Sequence, residues 1–418
     1  MLGRTIVILL CLGATLLSVP AVSPYGINNW ISLAASSTAF VAMAINQFLA
    51  TRPRLFEGWF GGLDRMYHFH RQIGMTALAL MLVHYFFTPS FTGLQLNSGL
   101  NTLARYAGEY GFYGLVALAA LSLVKRIPFT KWEVPYHLWR QSHRFIGIFF
   151  MIIVFHWLFI KRPFGGEALL VNYLTVFGII GVASFLYTQI MPFLKRRGFE
   201  VIEVDRLPAA TVVKAKPTGR GIRATPGQFG FLRVAKSGLG EPHPFTLAGI
   251  GGDGTITFAI KPLGDYTRRL RESIAVGDRI QIEGGHGRFI QGRGGDRQVW
   301  LAGGIGITPF LAMAESLESG QKRQIHLVHS VRNASEAVSD QRLFEIAKEV
   351  EGFSFVLHDS EKEGWIDAEK LIAKAPFEVD GSELWFCGPP PLRSAIVGGL
   401  KKLGKRFKSV KFERFEFR

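Results

Sequence analysis

The first 193 residues alternate long apolar stretches with short polar ones, and the rest of the chain does not. A run of about 20 apolar residues is long enough to cross the hydrocarbon core of a bilayer as an α-helix. The pattern predicts six such segments, near residues 5–22, 31–50, 70–88, 107–124, 144–160 and 169–192. We therefore expect a multi-domain membrane protein that begins with a six-helix transmembrane bundle over residues 1–193.

After Gly198 the pattern changes to short alternating strands separated by turn residues, which is typical of a small antiparallel β-barrel. The candidate strands cover residues 200–205, 210–216, 228–234, 245–250, 255–261 and 279–283. From Arg297 strands alternate with helices, which predicts a parallel sheet in an α/β domain that ends on an aromatic strand over 412–417. The predicted domains are 1–193, an antiparallel barrel over 199–294 and an α/β domain over 295–418.

The first apolar segment also has features of a cleaved signal peptide, namely Arg4, an apolar run and small residues near 20–23. We favour a retained helix, because a multi-pass protein needs no removable signal. The two cysteines, Cys11 and Cys387, fall in the membrane segment and in the second half, so neither a disulfide nor a zinc site is expected.

Basic residues near the helix ends predict the orientation. With the N-terminus inside, twelve lysines and arginines fall on the cytoplasmic side, at 4, 52, 54, 65, 125, 126, 131, 140, 144, 195, 196 and 197. Only Arg105, Lys161 and Arg162 fall outside. We therefore expect a bacterial-type inner membrane protein whose second half is cytoplasmic, and we assign the net charge of +16 to the membrane surface and phosphorylated cofactors rather than to nucleic acid.

One histidine motif occurs twice in the membrane half. The sequence His-Arg-Gln-Ile-Gly at 70–74 is followed by His84, and His-Arg-Phe-Ile-Gly at 143–147 is followed by His156. Spacings of 14 and 13 residues separate the two histidines of each helix by roughly 20 Å along the axis. The predicted topology makes the two helices parallel, so that His70 lies level with His143 and His84 level with His156.

Two levels of paired histidines could hold two b-type haems stacked across the membrane, since imidazole is a standard axial ligand of haem iron. Gly74 and Gly147 would leave room for a flat macrocycle, and Arg71 and Arg144 could bond haem propionates. Membrane histidines also serve as polar contacts or proton relays. A spacing of 13 residues turns the second histidine about 140° from the first, which tilt or a local irregularity must absorb. The candidate metal ligands are His70, His84, His143 and His156.

Two segments of the predicted barrel are candidate anion sites. His243-Pro244-Phe245-Thr246 begins a strand after a turn, and Gly264-Asp265-Tyr266-Thr267 opens a helix that carries Arg268, Arg269 and Arg271. A helix N-terminus with nearby arginines suits a pyrophosphate. The same sequence also fits a surface helix with a solvated basic face.

A glycine-rich segment follows the first strand of the predicted parallel sheet. The segment Gly303-Gly304-Ile305-Gly306-Ile307-Thr308-Pro309 has a strand before it and a helix after it, as a dinucleotide site requires. Thr308 is predicted to cap this helix and Pro309 to occupy its first position. A later strand runs into Cys387-Gly388-Pro389-Pro390.

Taken in order, these motifs resemble the NADPH oxidase and ferric reductase superfamily, in which a six-helix haem-binding membrane domain is fused to a ferredoxin-NADP reductase-like module. The resemblance covers nearly the whole chain. It implies two haems, FAD and NADPH, with NADH as an alternative. Residues 243–246 would hold FAD with Thr246 near the flavin, and residues 264–267 would hold its phosphates.

The resemblance also assigns residues of the nucleotide half. Gly303, Gly304, Gly306, Thr308 and Pro309 would bind the nicotinamide nucleotide, and Cys387 with Gly388, Pro389 and Pro390 would lie beside the nicotinamide. Ser330 and Arg332 would read a 2′-phosphate, although Arg332 also fits a solvated loop charge. Phe417 would stack on the flavin; Arg418 follows it, and Phe415 is also a candidate.

The implied function is transfer of electrons from NADPH through FAD and the haems to an acceptor on the opposite face. Oxygen, giving superoxide, is favoured, and a ferric chelate is the alternative. A third alternative is a periplasmic protein or quinone as acceptor. A membrane transporter with a histidine relay and a regulatory nucleotide domain would instead bind no haem and turn over no NADPH.

Overall fold

The computed structural model describes residues 2–89, 99–123, 136–164, 169–318, 320 and 322–413. The chain divides into two compact units, 1–194 and 195–418. The first is helical, and the second contains two β-sheets.

All six predicted apolar segments lie in helices of the first unit. A short helix that the pattern did not predict also lies between the second and third segments. The helices are α1 (Leu2–Val22), α2 (Ile27–Ala50), α3 (Arg54–Phe60), α4 (Leu63–Phe86), α5 (Asn101–Leu123), α6 (Tyr136–Phe159) and α7 (Leu169–Lys195). Helices α4 and α6 each begin seven residues before the first histidine of their motif, so the motif lies inside each helix rather than at its start.

Within the described residues, four helices are long and apolar enough to cross a membrane: α1, α2, residues 138–159 of α6, and α7. Helices α4 and α5 have comparable length but are less apolar. Helix α4 contains Asp64, Arg65 and Arg71, and α5 contains Arg105 and Glu109. The structure thus gives the six expected long helices, and four of them have the hydropathy of membrane spans.

Helix α4 packs along α2, and helix α6 packs along α5. Three glycines spaced three residues apart on α5 allow the second contact, because residues at this spacing share one face. A Cβ on Gly111 would lie 2.9 Å from Ile153 Cδ1, and one on Gly108 or Gly114 would collide with the rings of His156 or Phe149. The backbone of α5 therefore approaches the histidine-bearing face of α6 closely.

The six predicted antiparallel strands are confirmed and close into a barrel of order β1-β2-β5-β4-β3-β6. The strands are β1 (Arg197–Arg206), β2 (Thr211–Pro217), β3 (Phe229–Val234), β4 (His243–Ile250), β5 (Ile256–Ile260) and β6 (Arg279–His286). Helix α8 (Asp265–Ser273) lies between β5 and β6, where the sequence placed it.

The predicted parallel sheet is also confirmed, with order β11-β10-β7-β8-β9. Its strands are β7 (Arg297–Gly303), β8 (Gln324–Val331), β9 (Phe353–Asp359), β10 (Glu383–Cys387) and β11 (Ser409–Phe412). Its helices are α9 (Thr308–Glu315), α10 (Asp340–Glu349), α11 (Ser360–Glu363), α12 (Ala368–Lys374) and α13 (Pro390–Lys402). The last strand ends at Phe412, so the prediction of an aromatic strand over 412–417 is met only at its first residue within the described chain.

The strand order reverses between β7 and β10. From β7 the chain adds β8 and β9 on one side, and then returns to add β10 and β11 on the other. In open α/β sheets ligands bind outside the carboxyl ends of the strands at such a switch point. The glycine-rich segment follows β7 and the Cys387 segment follows β10, so both lie at this position.

Candidate functional site

The structure brings the first histidines of the two motifs together. The ring centroids of His70 on α4 and His143 on α6 are 6.1 Å apart, with an angle of 62° between the rings. A metal-bound imidazole nitrogen lies about 2 Å from the metal, so two rings on opposite sides of one metal have centroids about 6 Å apart. The spacing of these two rings therefore fits one metal centre between them.

The second histidines of the motifs are also neighbours. His84 of α4 lies within electrostatic range of His156 of α6. The 13-residue spacing in α6 therefore still brings the two second histidines near each other. Among the described residues, no group of three or more histidine, cysteine or acidic side chains is arranged to hold a bare metal ion. Pairs of histidines suit a metal whose other ligands come from a macrocycle.

Three of these four imidazoles are held through Nδ1 by oxygens of α2 or α5. His84 Nδ1 lies 2.9 Å from Ser32 Oγ, His143 Nδ1 lies 2.9 Å from Ser122 Oγ, and His156 Nδ1 lies 2.8 Å from the carbonyl oxygen of Ala104. No motif in the sequence pointed to Ser32, Ser122 or Ala104. The two serines could have been noticed as polar residues within apolar helices. The backbone carbonyl of Ala104 has no such sequence signal.

The arginine and the glycine that follow each first histidine have different surroundings in the two motifs. The side chain of Arg71 is exposed, and Arg144 donates from Nη2 to Gln189 Oε1 of α7 at 2.5 Å. Gly74 lies beside Asn46, whose Nδ2 would be 3.0 Å from an added Cβ. The space beside Gly147 is filled by the ring of Phe185, so this glycine allows α6 to pack against α7. The prediction that Gly147 leaves an open slot is therefore wrong.

The two candidate segments of the barrel come together. His243 at the start of β4 stacks on Tyr266 of α8, with ring centroids 3.6 Å apart and an angle of 28°. Phe245 lies 6.5 Å from the same tyrosine ring. Burial raises the pKa of the Tyr266 hydroxyl, so the ring stays neutral. Residues 243–246 and 264–267, separate in sequence, therefore form one surface of the barrel.

Thr246 is the most enclosed member of this surface. Its side chain is 6% exposed, and Oγ1 is buried without a hydrogen-bond partner in the described part of the chain. Buried hydroxyls are normally bonded, so an unpaired one at a ligand-binding position is a candidate contact for a bound molecule. Pro244 pairs with Phe231 of β3, and Thr246 pairs with Phe229, which keeps the segment on the barrel wall.

Helix α8 is capped by its own first turn. The hydroxyl of Thr267 accepts hydrogen bonds from the backbone nitrogens of Leu263 and Gly264, at 2.9 and 3.0 Å. Asp265 is the first residue of the helix. The three arginines bind neutral carbonyls, those of Leu263, Gly238 and Ala210. These contacts hold the three guanidinium groups near the helix without placing a carboxylate against them.

The glycine-rich segment turns directly from strand to helix. Gly303 ends β7, residues 304–307 form a 3₁₀ turn with Gly304 at φ +54°, and α9 begins at Thr308. The prediction that Thr308 caps the helix is wrong, because Ile307 occupies the capping position. The Thr308 hydroxyl instead donates to the carbonyl of Ile305 at 3.2 Å, and Pro309 is the second helical residue. The first N–H groups of α9 keep no side-chain cap.

Glycines allow the segments after β7 and β10 to touch. A Cβ on Gly303 would lie 2.8 Å from Pro389 Cδ, and one on Gly388 would lie 2.9 Å from the nitrogen of Gly303. A Cβ on Gly306 would collide with the carbonyl of Cys387. Pro390 begins α13. The two predicted nucleotide segments therefore pack backbone against backbone at the switch point.

Cys387 is fully buried at the end of β10. Burial, with a smaller contribution from the Glu413 carboxylate, raises the pKa of its thiol well above the usual range, so the group is a neutral thiol rather than a thiolate. Oε1 of Glu413 would lie 2.7 Å from a Cβ on Gly287. No motif in the sequence pointed to Glu413, the residue that follows β11.

Ser330 is the second-last residue of β8, and Arg332 follows this strand directly. Ser330 is 8% exposed and pairs with Gly303 across the sheet. The Arg332 side chain is 76% exposed, and its Nε donates to Glu361 Oε1 at 3.0 Å. Arg332 is therefore accessible to a ligand but already has an acidic partner. Phe415, Phe417 and Arg418 lie outside the described residues.

Comparisons with known families match three regions of the chain. Residues 35–154 match a ferric reductase like transmembrane component, residues 199–292 an FAD-binding domain, and residues 300–397 an oxidoreductase NAD-binding domain. Together with the apolar helices, the first match indicates a membrane protein.

Curated relatives match part of the chain. It is 27% identical over 210 residues to the propane 2-monooxygenase reductase component of Rhodococcus jostii, covering 47% of this chain and 56% of that one. It is 27% identical over 158 residues to NADH-cytochrome b5 reductase 1 of Coccidioides immitis, covering 34% and 51%. The chain thus spans little more than half the length of these relatives.

Among solved structures, the flavohemoglobin from Malassezia yamatoensis, with bound FAD and heme, is similar at a TM-score of 0.51 and 17% identity, covering 96% of this chain and 99% of that one. At this identity the similarity concerns the fold alone. The reductase relatives and the three domain matches agree on the type of reaction. The chain therefore combines the domains of an NAD(P)H oxidoreductase and shares the domain architecture of the NADPH oxidase and ferric reductase superfamily.

Proposed function

We propose that the protein carries electrons from NADPH, through FAD and two b-type haems, to oxygen on the opposite face of the membrane, forming superoxide. The observation that carries the proposal is the pairing of His70 with His143 at a spacing suited to one shared metal. These histidines belong to the same chain as FAD-binding and NAD-binding domains. When bound, FAD accepts a hydride and releases single electrons, and haem iron accepts and releases one electron at a time.

The four histidines are the residues that would hold the haems. His70 and His143 would bind one iron, and His84 and His156 the other. The hydrogen bonds at Nδ1 of three of these rings leave Nε2 as the nitrogen available to a metal, as in most metal sites with a histidine ligand. Two imidazoles per iron leave no open coordination position, which suits electron transfer. Arg71 and Arg144 would bind propionates.

The barrel surface would hold FAD and the switch point NADPH. The buried hydroxyl of Thr246 and the rings of His243 and Tyr266 support a flat aromatic ligand beside β4. Gly264 and Thr267 would lie at the FAD phosphates. The backbone contacts among Gly303, Gly306 and Gly388 support close approach of a dinucleotide at the carboxyl end of the parallel sheet.

We place the FAD and NADPH domains in the cytoplasm, because the basic residues flanking the apolar helices are concentrated on that side in this orientation. Electrons would then move outward, from the level of His70 to the level of His84. Across a membrane that is negative inside, the potential favours this outward movement by about 2.3 kcal/mol per electron per 100 mV.

An optical spectrum of the purified, detergent-solubilised protein tests the proposal. Addition of NADPH without oxygen should produce a reduced haem spectrum, and admission of air should reverse it and generate superoxide. Replacement of His84 or His156 should weaken the haem bands while leaving flavin reduction intact. A preparation that contains flavin alone, or no chromophore, would contradict the proposal.

A second candidate function is reduction of a ferric chelate, because residues 35–154 match a ferric reductase like component. The same electron path would serve both acceptors. Formation of ferrous iron from a ferric chelate under anaerobic conditions, compared with superoxide formation in air, distinguishes them. Faster reduction of the chelate than of oxygen at saturating NADPH would favour the second function.

A further inference from the structure

The tautomers of three membrane histidines follow from their hydrogen bonds. The carbonyl oxygen of Ala104 is only an acceptor, so His156 must carry its proton on Nδ1 to make the 2.8 Å bond. Nδ1 of His84 lies 3.2 Å from the carbonyl oxygen of Ser32, which imposes the same tautomer. In both rings Nε2 is then the nitrogen with a free lone pair.

The proton of the Ser122 hydroxyl is also accounted for. Ser122 Oγ donates to the carbonyl of Leu118, one turn earlier on α5, at 2.7 Å. A hydroxyl has a single proton, so Oγ must act as acceptor in its 2.9 Å contact with Nδ1 of His143. His143 therefore also carries its proton on Nδ1. Trp139 stacks on the same ring at 5.3 Å and donates from Nε1 to the carbonyl of Ser122 at 3.2 Å, which fixes the ring plane.

The arrangement repeats between the two helix pairs. Ser32 precedes His84 by 52 residues, and Ala104 precedes His156 by the same number. Helix α2 supplies the oxygens for α4, and helix α5 supplies those for α6. In both pairs, then, the helix next to the histidine-bearing helix supplies the hydrogen-bond acceptors of its imidazoles.

We infer that Ser122 and Ser32 are positioning residues that hold the iron ligands His143 and His84 in the Nδ1–H tautomer and raise their basicity. The inference rests on the proposed function, since it takes these histidines as haem ligands. A ligand that donates its second N–H to an acceptor is more basic and stabilises ferric iron. Second-shell hydrogen bonds of this kind are one of the means by which a protein sets a haem potential.

The two histidine pairs, His70 with His143 and His84 with His156, differ in how many of their imidazole hydrogen bonds depend on a serine hydroxyl. At the inner level, Nδ1 of His70 has no hydrogen-bond partner among the described residues, so the bond from His143 to Ser122 is the imidazole hydrogen bond that the described residues provide there. At the outer level, His156 keeps the Ala104 carbonyl, and His84 keeps the Ser32 carbonyl after loss of the hydroxyl. Removal of the Ser122 hydroxyl should therefore change the potential of the haem held by His143 more than removal of the Ser32 hydroxyl changes the potential of the haem held by His84.

The test is a potentiometric titration of the full-length protein in detergent, followed by haem absorbance, with electron paramagnetic resonance of the ferric state. In Ser122→Ala one of the two haem transitions should move to higher potential. We expect about a tenfold change in the ratio of ferrous to ferric haem, which is 59 mV for a one-electron couple. Ser32→Ala should move the other transition in the same direction by less, and the low-spin ferric signal of the affected haem should change.

Three further variants control for packing and folding. Ser122→Cys replaces the hydroxyl with a slightly larger thiol, which fills the space but is only a weak acceptor, and should shift the potential as Ser122→Ala does. Ser122→Thr keeps the hydroxyl and should restore the wild-type value. Ser36→Ala removes a hydroxyl of α2 that bonds the carbonyl of Leu33 in its own helix, and should move neither transition.

Unchanged potentials and ferric signals in Ser122→Ala and Ser122→Cys, with both haems present, would overturn the inference and leave the proposed function intact. Equal shifts in Ser36→Ala would also overturn it. Absence of haem from the wild-type protein would instead contradict the proposed function itself. Loss of one haem in Ser122→Ala that Ser122→Thr restores supports the positioning role.

Discussion

His329 of β8 donates a hydrogen bond from Nε2 to the carbonyl oxygen of Gly304 at 2.9 Å. The imidazole is fully buried, and its burial lowers the pKa to about 4, so the ring is neutral at physiological pH. Nδ1 has no partner within the described chain. The bond connects the second strand of the parallel sheet to the turn that we propose binds NADPH, and Gly304 has a positive φ there.

Replacement of His329 by leucine should raise the KM for NADPH by about tenfold, because loss of one buried hydrogen bond costs about 1–1.5 kcal/mol and frees the turn. The rate at saturating NADPH should fall much less. Steady-state kinetics of NADPH oxidation with an artificial acceptor measure both. His329→Gln, which keeps a donor, should recover part of the affinity. An unchanged KM in His329→Leu would show that the turn holds its shape without this bond.

The α/β domain should lose stability in acid. Burial lowers the pKa of both His326 and His329 from 6.5 to about 4, with the Lys374 charge adding to the effect at His326. The unfolded chain therefore binds more protons than the folded one between these values, and stability falls as pH drops from 6.5 towards 4. Each histidine should contribute roughly 3 kcal/mol of this loss at pH 4.

Thermal unfolding as a function of pH measures that dependence. The slope between pH 6.5 and 4 should be smaller in a His326→Asn variant, which has no titrating group at a position bonded to Ser354. Equal slopes in the variant and the parent would mean that other groups determine the acid sensitivity.

Gly388→Ala should disrupt the switch point. Gly388 has a φ of 155°, and an added Cβ would lie 2.9 Å from the nitrogen of Gly303. A shift of the segment after β10 should lower kcat/KM for NADPH at least tenfold, since positioning errors near the reacting groups are costly. Kinetics with an artificial acceptor are again the measurement.

Gly398→Ala is the matched control. Gly398 lies in α13, where an added Cβ meets open space, so alanine should stabilise the helix by about 0.5–1 kcal/mol without changing kinetics. If both alanine variants kept full activity, the contact between Gly388 and Gly303 would be unimportant for NADPH binding.

Glu361→Gln should raise the preference for NADPH over NADH. Glu361 pairs with the Arg332 guanidinium, which we propose reads a 2′-phosphate, so the carboxylate would compete with that phosphate. The side chains are 76% and 51% exposed, and such pairs are worth about 0–1 kcal/mol, so the ratio of kcat/KM values should rise up to about fivefold. In an Arg332→Ala background the same substitution should have no effect. A change of equal size in both backgrounds would exclude competition for Arg332.

The residues around the four membrane histidines show what a local sequence pattern can and cannot predict. Six apolar segments predicted the long helices because hydropathy and helix length are local properties of the sequence. The repeated motif predicted which histidines lie at the same depth in the membrane. It did not identify Ser32 or Ser122, since these serines lie on other helices, and it placed an open space at Gly147 that Phe185 fills.

By itself the sequence determined the order of the three regions, the strands of the barrel and of the parallel sheet, and the positions of the glycine-rich turns, since alternation and turn chemistry operate over a few residues. The tertiary structure alone decided which polar atoms meet. The stacking of His243 on Tyr266, the bond from His329 to Gly304, and the acceptors of the membrane imidazoles join residues on different elements. Such contacts depend on packing distances and angles between elements, which no local sequence pattern encodes.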